Sequence, residues 1–579
     1  MSLLFLFPVS VILANSSQPN VLVILADDQG WGDLSIQGNT NLKTPNIDSL
    51  ATQGVTFDRF FVCPLCSPTR AEFLTGRYHS RSNVFGVSQG KERMSLEEKT
   101  VADMFLAAGY ATGMFGKWHN GSQYPYHPTA RGFQEYFGFT SGHWGNYIDP
   151  ILEENGKMVK QKGFIIDILT DRALQYIEKN KDKPFFCYLA LNTPHTPWQV
   201  PDEYWNRFVD APIPMRGRSG NNESLPQTRC ALAMCENIDW NVGRLLKKLD
   251  ELKLDKNTIV IYFSDNGPNT DRWNGDMKGR KSAVDEGGVR VPFFIRWNET
   301  IPAGATISQI AGGIDLLPTL AGLANVKPVG MLPLDGIDVS PLIFGKNENW
   351  QDRTIVAQNA NRLSIRSQQY RYVAGGRQLF DMIADPGQNE NIADKMPEVR
   401  NRMNQALEDW KTSVCFNVER KLLPIPVGYP EFPWTPLPAR DATFTGKIQR
   451  SSSAPNNSFV TNWVSSEDKI TWEIDVNTDA EYAVTLHYTC PASDVGSLIE
   501  LRCGDEVFQT RITESFDSPL LDRSDRAPRQ TETFFKDFKE VPLGKIHLKK
   551  GIGSLELSAR QIAGRQVADV WGVALTLER

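Results

Sequence analysis

Two runs of the chain are apolar without a polar break: Asn20-Val21-Leu22-Val23-Ile24-Leu25-Ala26 and Thr258-Ile259-Val260-Ile261-Tyr262-Phe263. Both are rich in β-branched residues and predict strands of a sheet covered on both faces. Between them the apolar spacing becomes helical, predicting helices over 96–108 ahead of Gly109, over 165–179 and over 228–252. Apolar strands interleaved with helices of this length predict an α/β sandwich. In such sheets ligands gather beyond the carboxyl ends of the strands. Each run leads straight into polar residues there: Asp27-Asp28-Gln29-Gly30 after the first, Ser264-Asp265-Asn266-Gly267 after the second.

The pattern changes after residue 330. A stretch at 419–440 holds Pro424, Pro426, Pro430, Pro433, Pro436 and Pro438, which predicts an extended spacer. Beyond it Trp472/Ile474/Val476, Tyr482/Val484/Leu486/Tyr488, Ile499/Leu501/Cys503, Ile546/Leu548 and Val573/Leu575/Leu577 alternate with polar residues. Short alternating strands between turns predict an antiparallel β-sandwich over 441–579. The organisation read from the sequence is therefore a catalytic-sized α/β domain over 18–330, a smaller unit over 331–418, the spacer and the sandwich. The sandwich has two candidate roles, gripping a second stretch of a polymeric ligand or packing on the first domain.

Composition narrows the class. The 579 residues are 41% hydrophobic and 22% charged, with 62 basic against 68 acidic side chains and a net charge of −6. No long basic run is present, so a nucleic-acid partner is excluded and any anion would be gripped locally. Residues 1–17 contain an apolar run too short to span a bilayer, followed by small residues, and read as an export signal that places the protein in the periplasm or outside the cell. No later stretch is apolar enough to be a membrane span. The eight cysteines show no paired metal-ligand spacing. Cys63-Pro64-Leu65-Cys66 has the spacing of a redox or disulfide pair, and Cys490 with Cys503 falls on alternating segments that a disulfide would bridge if adjacent.

The densest chemistry lies at Cys66-Ser67-Pro68-Thr69-Arg70, followed by Ala71-Glu72-Phe73-Leu74 and Thr75-Gly76-Arg77. Ser67 suits a helix cap and Pro68 the first helical position, with the helix ending near Gly76. That leaves Cys66 just outside the positive N-terminus, with Arg70 and free amides ready for an anion. The paired carboxylates Asp27 and Asp28 would repel one another without a cation between them, and Asp265 with Asn266 offers a further hard-oxygen set. Either set alone would be an ordinary turn. Together, each closing an apolar strand, they point to Ca²⁺ or Mg²⁺.

The motif around Cys66 resembles the signature of the formylglycine-dependent (type I) sulfatases, within the alkaline phosphatase superfamily. Phe115-Gly116-Lys117-Trp118-His119 resembles the family's GKWH motif, Asn192-Thr193-Pro194-His195 its His-x-Pro segment, and Lys281 stands five residues before Glu286-Gly287-Gly288 as a Lys does in the last motif. Asn120 and Asp285 depart from the usual aliphatic and aromatic residues. Thr44-Pro45-Asn46-Ile47-Asp48 is a further match, and the resemblance covers roughly 19–415.

The resemblance implies an alkaline-phosphatase-like α/β sandwich around a mixed, mostly parallel sheet. It also implies a small antiparallel subdomain built from 364–366, 370–373 and 378–382 and followed by a helix over 397–410. The appended β-sandwich lies outside it. It implies that a maturation enzyme oxidises Cys66 to formylglycine, whose hydrate attacks sulfur, and that Asp27, Asp28, Asp265, Asn266 and the modified Cys66 ligate one Ca²⁺. Arg70, Lys117 and Lys281 would grip the sulfate, with His119 and His195 facing the reacting bond and His195, with Lys281, protonating the departing oxygen.

Three readings compete with this one. A phosphatase or phosphodiesterase of the same architecture would want a Ser or Thr nucleophile and extra zinc-binding histidines, whereas the chain has Cys66 and seven histidines in all. A non-catalytic glycan-binding protein would not need Cys66, Lys117 and Asp265 together. A broad arylsulfatase differs only in substrate. The sandwich, the export signal and Ser141-Gly142-His143-Trp144-Gly145-Asn146-Tyr147, whose rings would stack on sugars if exposed, favour a sulfated poly- or oligosaccharide.

Overall fold

The computed structural model describes residues 18–579 except 219–221, 331, 347–349, 416–419, 421, 456, 522–523, 530–533 and 579. The expected export segment, 1–17, lies outside the described residues. The two unbroken apolar runs form neighbouring strands, Asn20–Asp27 and Thr258–Ser264, with every residue buried. They pair in parallel, Ala26 opposite Ser264. On its other side Asn20–Asp27 pairs in parallel with Phe185–Pro194, which pairs in parallel with Ala111–Lys117. These four strands are the middle of a ten-stranded mixed sheet whose flanks add antiparallel pairs.

Because the middle strands all run the same way, Asp27, Asp265, His195 and Lys117 leave the sheet at one edge. The helices Ile165–Lys179 and Leu225–Glu251 contribute to the apolar layer on one face, and Cys66–Thr75 and Leu316–Ala324 to that on the other. The helix expected from residue 96 begins only at Val101, since Thr100 and Asp103 close a capping box there.

The smaller unit is a four-stranded antiparallel sheet, Ile355–Asn359, Arg362–Arg366, Tyr370–Val373 and Gln378–Asp381, with the helix Pro397–Val414 packed on it. From this sheet Arg371 reaches Glu286 through Nη2 at 2.7 Å and Nε at 3.2 Å, and Arg366 lies 3.6 Å from the same carboxylate. Burial works against that charge, but the three neighbouring guanidiniums of Arg371, Arg366 and Arg290 hold it below the ordinary range. The sheet thereby anchors the segment that carries Lys281.

The proline-rich stretch is not a plain spacer. Ile425–Val427 and Trp434–Pro438 are strands that add to the two sheets of the sandwich, pairing with Lys469–Val476 and Asp569–Leu577. Proline lacks an amide donor and is tolerated in a strand that has a neighbour on one side only, and both strands have a single pairing partner. Cys490 and Cys503 do not bridge: all eight cysteines are free, and these two end strands of different sheets.

The sandwich packs on the α/β domain. Trp144 stacks on Phe535 at 6.2 Å, Arg526 Nη2 donates to the Val200 carbonyl at 2.9 Å, and the Arg526 amide donates to the Trp198 carbonyl at 2.7 Å. Asp525 accepts from Gln199 Nε2 at 2.7 Å, Gln199 Oε1 accepts from the Tyr147 amide at 2.7 Å, and the Tyr147 hydroxyl donates to the Thr196 carbonyl at 2.8 Å. This chain of bonds ends on the segment holding His195. Truncation after Pro438 should therefore lower turnover of a small aryl sulfate and the melting temperature together. Retained aryl sulfate turnover with a selective loss on polymer would show that the sandwich acts as a separate sugar grip.

Candidate active site

The helix around the Cys66 motif spans Cys66–Thr75, starting two residues before the position Pro68 would set. The Thr69 amide closes on the Leu65 carbonyl at 3.2 Å, so Leu65 is the cap and Pro68 sits inside the first turn, where no intrahelical donor is needed. Cys66 is thus the first helical residue rather than one outside it. The helix ends as expected at Gly76, left-handed with φ 67°. Every one of its residues is buried, which wedges it between the sheet and the layer behind.

Burial raises the Cys66 thiol above its ordinary range. Its sulfur and carboxylate oxygens of Asp27 and Asp265 lie within 4.8 Å of one another. Cys63 does not pair with Cys66 and instead groups with Glu72 and His79.

Around Cys66 the three carboxylates meet three cations. Arg70 donates to Asp265 Oδ2 from Nη2 at 2.8 Å and Nε at 3.1 Å, and Nη1 donates to the Lys117 carbonyl at 2.8 Å. Lys117 Nζ donates to Asp27 Oδ2 at 2.5 Å. Lys281 Nζ lies 2.7 and 2.8 Å from the two oxygens of Asp28. Burial alone would raise Asp27, but Lys117, His195, Arg70 and Lys281 together hold it well below the carboxylate range. Burial and the nearby Asp27 push Asp265 up to about 7, with Arg70 pulling the other way.

Two oxygens in this cluster, Oδ1 of Asp27 and Oδ1 of Asn266, are buried with no hydrogen-bond partner among the described residues. The Asn266 amide Nδ2 donates to Asp28 Oδ1 at 2.7 Å, which leaves Asn266 Oδ1 as a free acceptor. Unpaired buried acceptors are costly and ask for a donor or a cation. Hard oxygens from Asp27, Asp28, Asp265 and Asn266 beside Cys66 fit a divalent cation of the Ca²⁺ or Mg²⁺ type.

The histidines line up beside the cluster. His195 Nε2 lies 3.6 Å from Asp28 Oδ2, and its Nδ1 donates to the Thr196 carbonyl at 2.6 Å. Since a carbonyl only accepts, Nε2 of the neutral ring carries a lone pair. Burial and Lys281 push His195 down to about 4. His119 Nε2 donates to the Val87 carbonyl at 2.8 Å, and burial with Lys117 keeps this ring neutral as well. The His143 ring bridges them, with centroids 5.0 Å from His195 and 6.1 Å from His119. A side chain at Gly142 would drive its Cβ to 2.0 Å from the His119 ring, so this close approach requires glycine.

The structure brings all the expected residues to one site: Cys66, Arg70, Lys117, His119, His195 and Lys281 with Asp27, Asp28, Asp265 and Asn266. The segment 141–147 is buried throughout, and Trp144 packs between Phe139 and Phe535. It builds the wall behind the histidines and offers no exposed sugar platform. Sequence reasoning missed three supports: Glu286 with its arginines, Asp33 paired to buried Arg272 at 2.7 Å, and Asn120, which donates to the Ser67 carbonyl at 3.2 Å. Glu286 and Asn120 stood inside quoted motifs, but no local pattern announced their partners.

A buried Cys at a helix start, ringed by carboxylates, guanidinium and ammonium groups at the carboxyl edge of an α/β sheet, defines an enzyme acting on an anionic ester. The sulfatase family model matches residues 19–326, and the chain belongs to the sulfatase family of sulfuric ester hydrolases. It is 31% identical over 506 residues to the N-acetylgalactosamine-6-O-sulfatase of Bacteroides thetaiotaomicron, covering 69% of this chain and 94% of that one. It is 31% identical over 363 residues to the N-acetylgalactosamine-6-sulfatase of Canis lupus familiaris, where the match spans 56% of this chain and 66% of the relative. Human arylsulfatase A is 32% identical over 380 residues, with 58% and 70% covered. Among solved structures, Ps i-CgsB in complex with k-i-k-neocarrahexaose matches with a TM-score of 0.62 and 31% identity, covering 68% of this chain and 93% of that one. No helix among the described residues is long and apolar enough to cross a membrane.

Proposed function

We propose that this protein removes sulfate from a sulfated sugar, in a polysaccharide or oligosaccharide, using Cys66 matured to formylglycine and one bound Ca²⁺. The observation that carries the reading is the placement of Cys66 between Asp27 and Asp265 with Arg70, Lys117 and Lys281 around it. Sugar esters are favoured over aryl esters because two of the relatives described above are named for a sugar sulfate and the structural neighbour was solved in complex with k-i-k-neocarrahexaose.

Charge explains why a cation belongs there. Three carboxyl groups face three cations, so the bare cluster has little surplus to attract an anionic ester. A divalent ion held by Asp27, Asp28, Asp265, Asn266 and position 66 would leave the surplus that a sulfate needs. When present, formylglycine supplies a hydroxyl nucleophile and the cation draws charge from the sulfate oxygens.

The other roles belong to the chain. Arg70 and Lys117, held rigid by Asp265 and Asp27, orient the sulfate and stabilise the charge that develops on its oxygens. Lys281 and His195 flank Asp28 on the leaving-group side. Lys281 carries its proton, because Asp28 holds the ammonium charged against the opposing effect of burial. His195, neutral as found, relays a proton once one reaches Nε2. His119, kept neutral by burial and Lys117, is oriented by its bond to the Val87 carbonyl and shapes the wall beside Lys117.

A general acid matters most when the leaving group is a poor one. His195→Ala should lower kcat on a sugar sulfate by roughly 10²-fold or more and far less on 4-nitrophenyl sulfate, whose phenolate leaves unaided. Equal losses on both would remove His195 from the proton path. The substrate class is tested by sulfate release from a panel of defined sulfated oligosaccharides beside 4-nitrophenyl sulfate. Turnover of the aryl ester alone would support the broad arylsulfatase reading instead.

A further inference from the structure

Of the groups expected to act on the ester, Lys281 alone reaches solvent appreciably. Its side chain is 17% exposed, against 3% or less for Cys66, Arg70, Lys117, His119 and His195. It opens onto a cleft of about 760 Å³ formed by the 268–283 segment together with Arg218 and Arg362. That volume falls in the range of small-ligand sites.

The charges around this cleft are unevenly matched. Arg280 is 3.4 Å from Asp271, Lys278 is 3.2 Å from Asp285, and Arg272 is buried on Asp33. Asp276 adds one further carboxylate to the lining. Arg218 and Arg362 are exposed and make no ion pair among the described residues. Arg218 is nonetheless held in place, by the Gly387 carbonyl and by Asn389 Oδ1 at 2.6 Å, with the Asp385 carboxylate close enough to feel its charge without pairing to it. A guanidinium whose hydrogen bonds go to neutral groups, with no carboxylate in contact, keeps most of its charge for a ligand and has part of its ordering cost already met.

We propose that this cleft binds a second anionic substituent, a sulfate ester or a carboxylate, on the sugar chain whose ester is cleaved, with Arg218 and Arg362 as its recognition groups. The proposal rests on the sulfatase reading and extends it to a substrate carrying charge beyond the scissile sulfate. Lys281 stands where the two regions meet, so the second anion lies on the leaving-group side of the reacting bond. Binding there lowers KM and leaves the chemistry at position 66 unchanged, because neither arginine touches the reacting cluster. The attraction is between partly solvated charges and weakens as salt rises.

The test uses the full-length matured enzyme and three oligosaccharides with the same scissile sulfate: one otherwise neutral, one with a second sulfate and one with a carboxylate. 4-Nitrophenyl sulfate serves as a substrate with no second anion. The wild type should show the lowest KM on one or both doubly charged substrates. Arg362→Gln and Arg218→Gln should each raise that KM by roughly tenfold, the effect of about 1.4 kcal/mol, with kcat and the aryl sulfate kcat/KM unchanged. The arm that responds identifies the anion as sulfate, carboxylate or both. Arg362→Gln guards the result, since the Arg362 side chain makes no hydrogen bond or ion pair among the described residues whose loss would disturb folding. No preference for the second anion in the wild type, or equal losses on singly and doubly charged substrates, would overturn the subsite alone. Release of no sulfate from any of the four substrates would overturn the sulfatase reading and this inference with it.

Discussion

Cys66→Ala is expected to lower sulfate ester turnover by on the order of 10⁴-fold or more while the protein folds normally. The side chain lost is small and makes no hydrogen bond that the helix start depends on, so the stability cost should be about 1 kcal/mol. Arg70, Lys117 and Lys281 keep their carboxylate partners and continue to bind the anionic ester. The expected pattern is therefore a collapse in kcat with binding of a sulfated ligand retained. Cys66→Ser should fail as well unless the host converts serine. A Cys66→Ala protein with kcat within tenfold of the wild type would remove position 66 from the chemistry.

The second large effect concerns the cation. Exhaustive chelation should bring turnover to background and lower the melting temperature in the same titration, with Ca²⁺ restoring both. A ligand that binds only the folded state contributes RT ln(1 + [L]/Kd), about 2.7 kcal/mol at a hundredfold excess over Kd. Asp265→Asn should reproduce the loss of activity, because it removes one carboxylate from the set while keeping its shape. It also weakens the hold on Arg70, which is fully buried and donates to Asp265 twice, so some destabilisation should persist even with Ca²⁺ in excess. Full activity after chelation would contradict the cation reading.

Much of this site was legible because its residues sit at the ends of locally recognisable elements. The unbroken runs at 20–26 and 258–263 are central strands, and the polar residues after each had to emerge where parallel strands end. The Cys66 motif placed a helix beside them, and the stop expected near Gly76 falls there. The helix start was not, because the preference for a Ser67–Pro68 cap is weak beside a turn that closes from Leu65.

The prolines of 424–438 read as a spacer because a single sequence does not reveal that a strand has a neighbour on one side only. The aromatic segment 141–147 read as a sugar platform because stacking residues and core residues are the same residues, and burial by Phe535 depends on a ring contact hundreds of positions away in the chain. For the same reason no local pattern announced that Asp525 supports Gln199 and Tyr147, or that Arg366 and Arg371 hold Glu286. Long-range polar pairs leave no periodic trace in the chain.

The most direct measurement is the mass of the peptide containing position 66, taken from protein whose specific activity has been determined in the same preparation. The proposed mechanism predicts that activity rises in proportion to the fraction in which the Cys66 CH₂SH group has become an aldehyde, with the purely thiol form inactive. Full activity in protein whose Cys66 is entirely an unmodified thiol would contradict it.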